Sequence, residues 1–132
     1  MVALVDASVL IGAERGKLRW EEVDRKGIDS TALAAITMSE LLHSVHRARN
    51  AGERAKREAF VERILASMPV LSFDSTIARI HARVWASLAS RGTAVGAHDL
   101  FVAATALATG CCVATRDLKD FRKIPGVKVV LW

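Results

Sequence analysis

Short apolar runs, each separated from the next by stretches of helical periodicity, constrain this chain more than any other feature. Val2-Ala3-Leu4-Val5 is continuously apolar, the pattern of a strand covered on both faces. Ala32 to Ile36, Val70-Leu71-Ser72-Phe73, Cys111 to Ala114 and Val127 to Leu131 predict four more strands. Ser8 to Ala13 predicts a first helix, with a second helical piece around Leu18 to Arg25. Thr37 opens a long helix carrying Leu41, Leu42 and Val45 on one side. Phe60, Val61, Ile64 and Leu65 mark another helix from about Gly52 to Ser67. Asp74 is a natural N-cap for a helix with the stripe Ile77, Ile80, Val84 and Leu88. After a loop from Gly92 to Ala97, a small-residue helix runs from about His98 to Ala108, and Gly110 ends it. Strands alternating with helices pair in parallel through right-handed crossovers. The expected fold is an α/β three-layer sandwich around a five-stranded parallel sheet, with residues 1–132 forming one domain.

Composition agrees with a packed domain. At 52% hydrophobic residues over 132 positions, the chain buries a real core without staples and is no disordered adaptor. Cys111 and Cys112 are sequence neighbours inside an apolar run, and successive strand residues face opposite ways, so they read as inert thiols. Two cysteines without suitably spaced partners make no zinc site. The apolar start meets Asp6 too early for a signal peptide, and Leu100 to Thr115 falls short of the ~20 apolar residues of a membrane helix. The chain reads as cytoplasmic.

In parallel sheets ligands sit beyond the carboxyl ends of the strands, near a topological switch point. Asp6 ends the first strand, and Glu40 lies in the first turn of the helix after the second. Asp99 begins the helix before the fourth strand, and Thr115, Asp117 and Asp120 follow that strand. Each acid has an ordinary structural explanation. Asp6 can cap the first helix, Thr37-Met38-Ser39-Glu40 fits a T-x-x-E capping box, and Asp99 suits a helix dipole. Asp117 can cap a turn that includes Asp120. Together these explanations strain, because several carboxylates on one sheet edge resist joint ionisation. A hard cation with oxygen ligands removes that penalty, and an all-carboxylate set favours Mg²⁺ or Mn²⁺ over zinc. Such ions activate water and neutralise charge on a phosphodiester. The chain carries 19 basic and 14 acidic residues. With those five acids set aside, nine remain against the 19, a balance that suits a polyanion.

These residues resemble the PIN-domain ribonuclease family, and more narrowly the VapC-type toxins of type II toxin–antitoxin modules. The likeness is carried by Val5-Asp6-Ala7-Ser8, Met38-Ser39-Glu40-Leu41, the run from His98 to Ala106, and the run from Ala114 to Phe121. Any one block is weak; four in order at compact spacing are specific. The resemblance implies a five-stranded parallel sheet and endonucleolytic cleavage of RNA dependent on one or two Mg²⁺ or Mn²⁺ ions. It also implies a homodimer, and a cognate antitoxin whose chain lies across the cleft, with heterotetramers or larger assemblies. Carried over by position, Asp6, Glu40 and Asp99 match the three most regular acids. Family members often have Asn where Asp117 stands and an acid where Asp120 stands, so either or both contact metal. Thr115 and Ser8 match hydroxyl positions beside the site.

Among basic residues, Arg116, Lys119, Arg122 and Lys123 surround the acidic edge and are the better RNA candidates, with His98 beside Asp99. His43 and His46, three apart on a helix, lack further ligands and read as surface or packing residues. Arg47, Arg49, Arg54, Lys56, Arg57 and Arg63, interleaved with glutamates, read as a solvated face. Other readings compete. A PIN ribonuclease outside a toxin–antitoxin pair has the same site. A receiver domain needs paired acids after the first strand, and an aspartyl phosphohydrolase shows D-x-D; the chain has neither. A non-catalytic RNA-binding module has no reason to keep clustered charge.

Overall fold

The computed structural model describes residues 1–132. Its five strands are β1 (Val2–Val5), β2 (Ser30–Ala34), β3 (Val70–Leu71), β4 (Cys112–Thr115) and β5 (Val129–Leu131). They form one sheet in the order β3-β2-β1-β4-β5, parallel throughout. The helices are α1 (Ala7–Glu14), α2 (Ala35–His46), α3 (Ala51–Ser67), α4 (Ser75–Ser90) and α5 (Ala97–Thr109). The expected five-stranded parallel α/β sandwich is the architecture observed.

Strand alternation splits the core into two layers. Ala3, Val5, Leu33, Cys112 and Ala114 face α1, α2 and α3, where they meet Val9, Leu10, Leu41, Val45 and Val61. Leu4, Ala32, Ala34 and Val113 face α4 and α5, where they meet Leu88, Leu100, Val102, Ala103 and Ala106. The three inner strands β2, β1 and β4 are therefore covered on both sides, which is why β1 and most of β4 read as continuous apolar runs. Small residues of α5 let that helix lie close on the sheet, with Ala103 and Ala104 fully buried.

Several helix ends form as the sequence predicts. Asp74 accepts the Ile77 N–H at 2.9 Å. Gly110 closes α5 at φ +73°, a left-handed conformation that favours glycine. Others differ. β2 sits about two residues earlier than expected, because Ser30 and Thr31 pair with Val2 and Ala3. α2 consequently starts at Ala35, with Ile36 and Thr37 inside it. No helix of any length forms over Leu18 to Arg25; only Trp20–Glu22 makes a single 3-10 turn. The residues there that pack inward are Leu18, Trp20 and Val23, a spacing that does not make a helical stripe. The segment is instead tied to the C-terminus. Trp20 meets Trp132 edge to face at 5.7 Å, Trp132 Nε1 donates to the Asp24 carbonyl, and Arg25 stacks over Trp20.

Sheet order decides where a site can form. The chain moves outward from β1 through β2 to β3, then returns to β4 on the other side of β1. The carboxyl ends of β1 and β4 thus flank the switch point, the place where neighbouring connections diverge and leave a crevice.

Candidate active site

Asp6 leaves β1 directly into that crevice. Its backbone N–H bonds the Ala114 carbonyl at 2.8 Å, continuing the β1–β4 ladder by one residue. It occupies the N-cap position of α1, yet its side chain makes no cap hydrogen bond. The carboxylate turns instead to two hydroxyls. Ser8 Oγ donates to Oδ2 at 2.8 Å, and Thr115 Oγ1 donates to the same oxygen at 2.9 Å. Ser8 is itself held by the Arg116 N–H at 3.1 Å, and Thr115 is fully buried. Oδ1 is left without a donor, so a nearly buried aspartate keeps one oxygen available.

Glu40 loses its capping role as well. The N-cap of α2 is Ala34, without a side-chain bond, and the buried Thr37 hydroxyl has no partner. The T-x-x-E capping box therefore does not form, and Glu40 stands in the second turn of α2 rather than the first. Its carboxylate meets His98, with Nδ1 3.5 Å from Oε1. Burial raises its pKa, the neighbouring His98 opposes that rise, and the Asp6 charge adds to it.

Asp99 lies in the first turn of α5, at its acid-favouring end. Its pKa is pushed up to about 7, first by burial, then by the charge of Asp6, a hydrogen bond to Asp120, and the charges of Asp120 and Glu40. Four acids from four separate stretches of chain therefore feel one another at Asp99. Asp120 carries the opposite shift. The Gly96 N–H at 2.9 Å holds it in the ionised form, and Lys123 Nζ at 3.3 Å adds to that. Of the two neighbouring acids, Asp99 therefore keeps its proton to higher pH and Asp120 ionises first.

Gly96 makes this pairing sterically feasible. A methyl group there would lie 3.2 Å from Asp120 Oδ2 and 3.6 Å from Asp99 Oδ2. Nothing in the sequence patterning singled out Gly96 beyond its place in a loop with two glycines. Asp117 stands apart. It is exposed, its Oδ1 accepts the Lys119 N–H at 3.0 Å, and its own N–H donates to Thr115 Oγ1 at 3.0 Å. Asp117 thus forms the turn, and Asp120, not Asp117, is the later acid that reaches Asp99.

The basic candidates separate in the same way. Lys123 bonds the Ala94 carbonyl and Asp120, which fixes the loop before α5. Arg116 lies along α1, where a methyl group on Gly12 would come within 2.5 Å of its guanidinium. Lys119 and Arg122 are exposed. His98 is 59% exposed and directed to Glu40. His43, Arg47 and Arg57, read from sequence as surface residues, line a groove between α1 and α2 that opens beside Glu40.

No three acidic, histidine or cysteine side chains converge closely enough to enclose a cation by themselves. A magnesium-type ion does not require that. It keeps several waters and takes one or two carboxylates together with substrate phosphate oxygens. The donor set fits such an ion, with oxygen ligands only, an unbonded Asp6 Oδ1, and two acids whose pKa values are raised first by burial and further by neighbouring carboxylates.

Comparison with known proteins points one way. The family model described as PIN domain matches residues 3–127. The chain is 32% identical over 130 residues to "Ribonuclease VapC1" of Rickettsia felis, covering 98% of this chain and 96% of that protein. Among solved structures it is similar to a member of the VapBC family of toxin–antitoxin systems, VapBC-5, from Mycobacterium tuberculosis. That likeness has a TM-score of 0.78 at 30% identity, over 98% and 96% of the two chains. It is also similar to DNA-bound VapBC from Salmonella typhimurium, with a TM-score of 0.88 at 26% identity over 100% and 99%.

Proposed function

The chain belongs to the PIN-domain family, and from that premise we propose that it is an endoribonuclease, dependent on Mg²⁺ or Mn²⁺, acting as the toxin of a toxin–antitoxin pair. The observation that carries the chemistry is the mutual influence of Asp6, Glu40, Asp99 and Asp120 at the β1–β4 switch point. The ribonuclease names of the relatives supply the substrate, and the toxin–antitoxin complexes among the similar structures supply the partner.

Asp6, Asp99 and Glu40 would hold one or two ions, with Asp120 completing the set beside Asp99; Asp117 stands at the rim. When bound, such ions generate a nucleophilic water at neutral pH and stabilise charge on the phosphate and its leaving oxygen. The protein's own contribution is preorganisation. Ser8 and Thr115 fix one oxygen of Asp6, so its free oxygen points in one direction without waiting for the substrate. Asp99 gives up its proton as the charge around it is compensated. Glu40 and His98 close the side nearest α2, and Lys123 holds Asp120 from below the loop.

The partners in this reading are RNA, a cognate antitoxin and a second copy of the chain. No helix is long and apolar enough to cross a membrane. A cytoplasmic location is part of the proposal.

The test is direct. Protein freed of antitoxin should cleave RNA with Mg²⁺ or Mn²⁺ and not in a chelator, and Asp99→Asn should abolish cleavage while the circular dichroism spectrum stays native. Normal cleavage by that variant would remove the assigned chemistry.

A further inference from the structure

The groove between α1 and α2 has a volume of about 460 Å³ and only one hydrophobic lining residue, Ile11. It starts at Glu40 and His98 and runs away from the carboxylates along α2 past Ser39, His43 and Arg47. These three positions repeat every four residues, so they form one row on the helix surface. From Ser39 to Arg47 the row extends about 12 Å. Arg15, just past the end of α1, lines the same groove.

The charges in the groove are not balanced. Arg57 is committed to Glu14 at 3.3 Å and Glu53 at 3.0 Å, and it also bonds the Ser44 carbonyl. Glu40 is faced by His98. Arg15 and Arg47 pair with no carboxylate, and both are exposed. Two free guanidinium groups, with a serine and a histidine between the acids and Arg47, thus extend from the carboxylate cluster in one direction.

We infer that this groove is the track for the RNA strand on one side of the cleaved bond, with Arg15 and Arg47 binding backbone phosphates. The inference rests on the ribonuclease reading above and deepens it. A polymer cut at the switch point must continue past one wall of the site, and this wall presents donors and uncompensated positive charge. Guanidinium groups bind phosphate oxygens through paired donors, and their affinity carries no base preference. The polar lining is unsuited to the apolar face of a partner helix.

The test titrates a fluorescein-labelled single-stranded RNA of mixed sequence in Mg²⁺. The Asp99→Asn background keeps the RNA whole. Arg15→Ala and Arg47→Ala are each expected to weaken binding several-fold. Each should also reduce the slope of log affinity against log salt by about 0.7. Arg54→Ala, an exposed arginine on α3 outside the groove, should leave both unchanged. In the wild-type background the two groove variants should raise KM with little change in kcat. Unchanged affinity and slope in the Arg15→Ala/Arg47→Ala double variant would overturn the inference, and so would an equal loss from Arg54→Ala. Retained RNA affinity with lost affinity for the antitoxin would also overturn it, and would assign the groove to the protein partner. A wild-type chain that binds RNA through these arginines but never cuts it would end the nuclease reading and leave the track standing.

Discussion

Thr115 Oγ1 stands 2.9 Å from Asp6 Oδ2, joining two residues 109 positions apart across the carboxyl ends of β1 and β4. The same hydroxyl accepts the Asp117 N–H, so a single buried side chain sets both the aspartate and the turn after β4. Thr115→Val keeps the shape and removes the hydroxyl. It should destabilise the fold by about 1–3 kcal/mol, since Asp6 and the Asp117 amide each lose a partner. Cleavage should fall about 10- to 100-fold, the usual loss when a ligand's supporting partner is removed. Thr115→Ser should recover most of both. Denaturant melts and initial rates check this, and wild-type rates in the valine variant would contradict it.

Asp99 gives the site a pH dependence whose direction is set. With a folded pKa of about 7, Asp99 is protonated below neutrality in the metal-free protein. A divalent cation must displace that proton. Metal affinity should therefore rise with pH until about 7 and flatten above it, and cleavage at limiting Mg²⁺ should follow the same curve. Calorimetric titration at several pH values reads this; an affinity that is flat from pH 5 to 8 would contradict it.

The same shift predicts a stability effect of opposite sense. Raising a carboxyl's folded pKa above its unfolded value means that the unfolded chain gives up its proton first. The stabilisation is complete below the ordinary aspartate range and is lost as pH rises through about 7. Metal-free protein should thus weaken between mildly acidic and neutral pH. Asp99→Asn should remove that slope and raise metal-free stability at pH 7.5 by about 1–2 kcal/mol, discounted because the group is only half-buried. Mg²⁺ should stabilise the wild type and not the variant.

Gly96→Ala tests the seat of Asp120. The added methyl would press on Asp120 Oδ2 at 3.2 Å, in a backbone conformation that alanine accepts. Asp120 should move off the Gly96 N–H, the largest cause of its lowered pKa, and its pKa should rise. Global stability should change by less than about 1 kcal/mol, because the position is exposed. Cleavage should drop, and its acid limb should move to higher pH. An unchanged pH profile would show that Asp120 is idle.

His98→Ala isolates the group facing Glu40. His98 lowers the pKa of Glu40 against the effect of burial. Without it, Glu40 should protonate at higher pH and need more Mg²⁺ for half-maximal rate, with the maximal rate less affected. His98→Gln, which keeps a donor without the charge, should fall between the two.

What was legible in the sequence follows a pattern. Val2–Val5 and Cys112–Ala114 are apolar because strands covered by helices on both faces bury both rows of side chains, and that signal is local. The stretch from Leu18 to Arg25 misled because apolar residues there pack against the core singly, with no regular period. Thr37-Met38-Ser39-Glu40 misled for a different reason. It has the residues of a capping box, but pairing of Ser30 with Val2 draws the strand back and starts the helix two residues earlier. Register was decided by a neighbouring strand that a local motif does not contain.

The sequence by itself determined the alternation of strands and helices, and with it the parallel sheet and the strand-end edge on which to look for its acids. Periodicity and strand-end position are properties of short segments, so they survive without coordinates. The tertiary structure alone decided that Asp120 pairs with Asp99 while Asp117 turns to Lys119, and that Arg15 and Arg47 share a groove. Those outcomes depend on distances between side chains from different elements, where an ångström or two separates two facing carboxyls from an ordinary turn. Packing of the whole chain sets such distances, and no stretch of residues carries them alone.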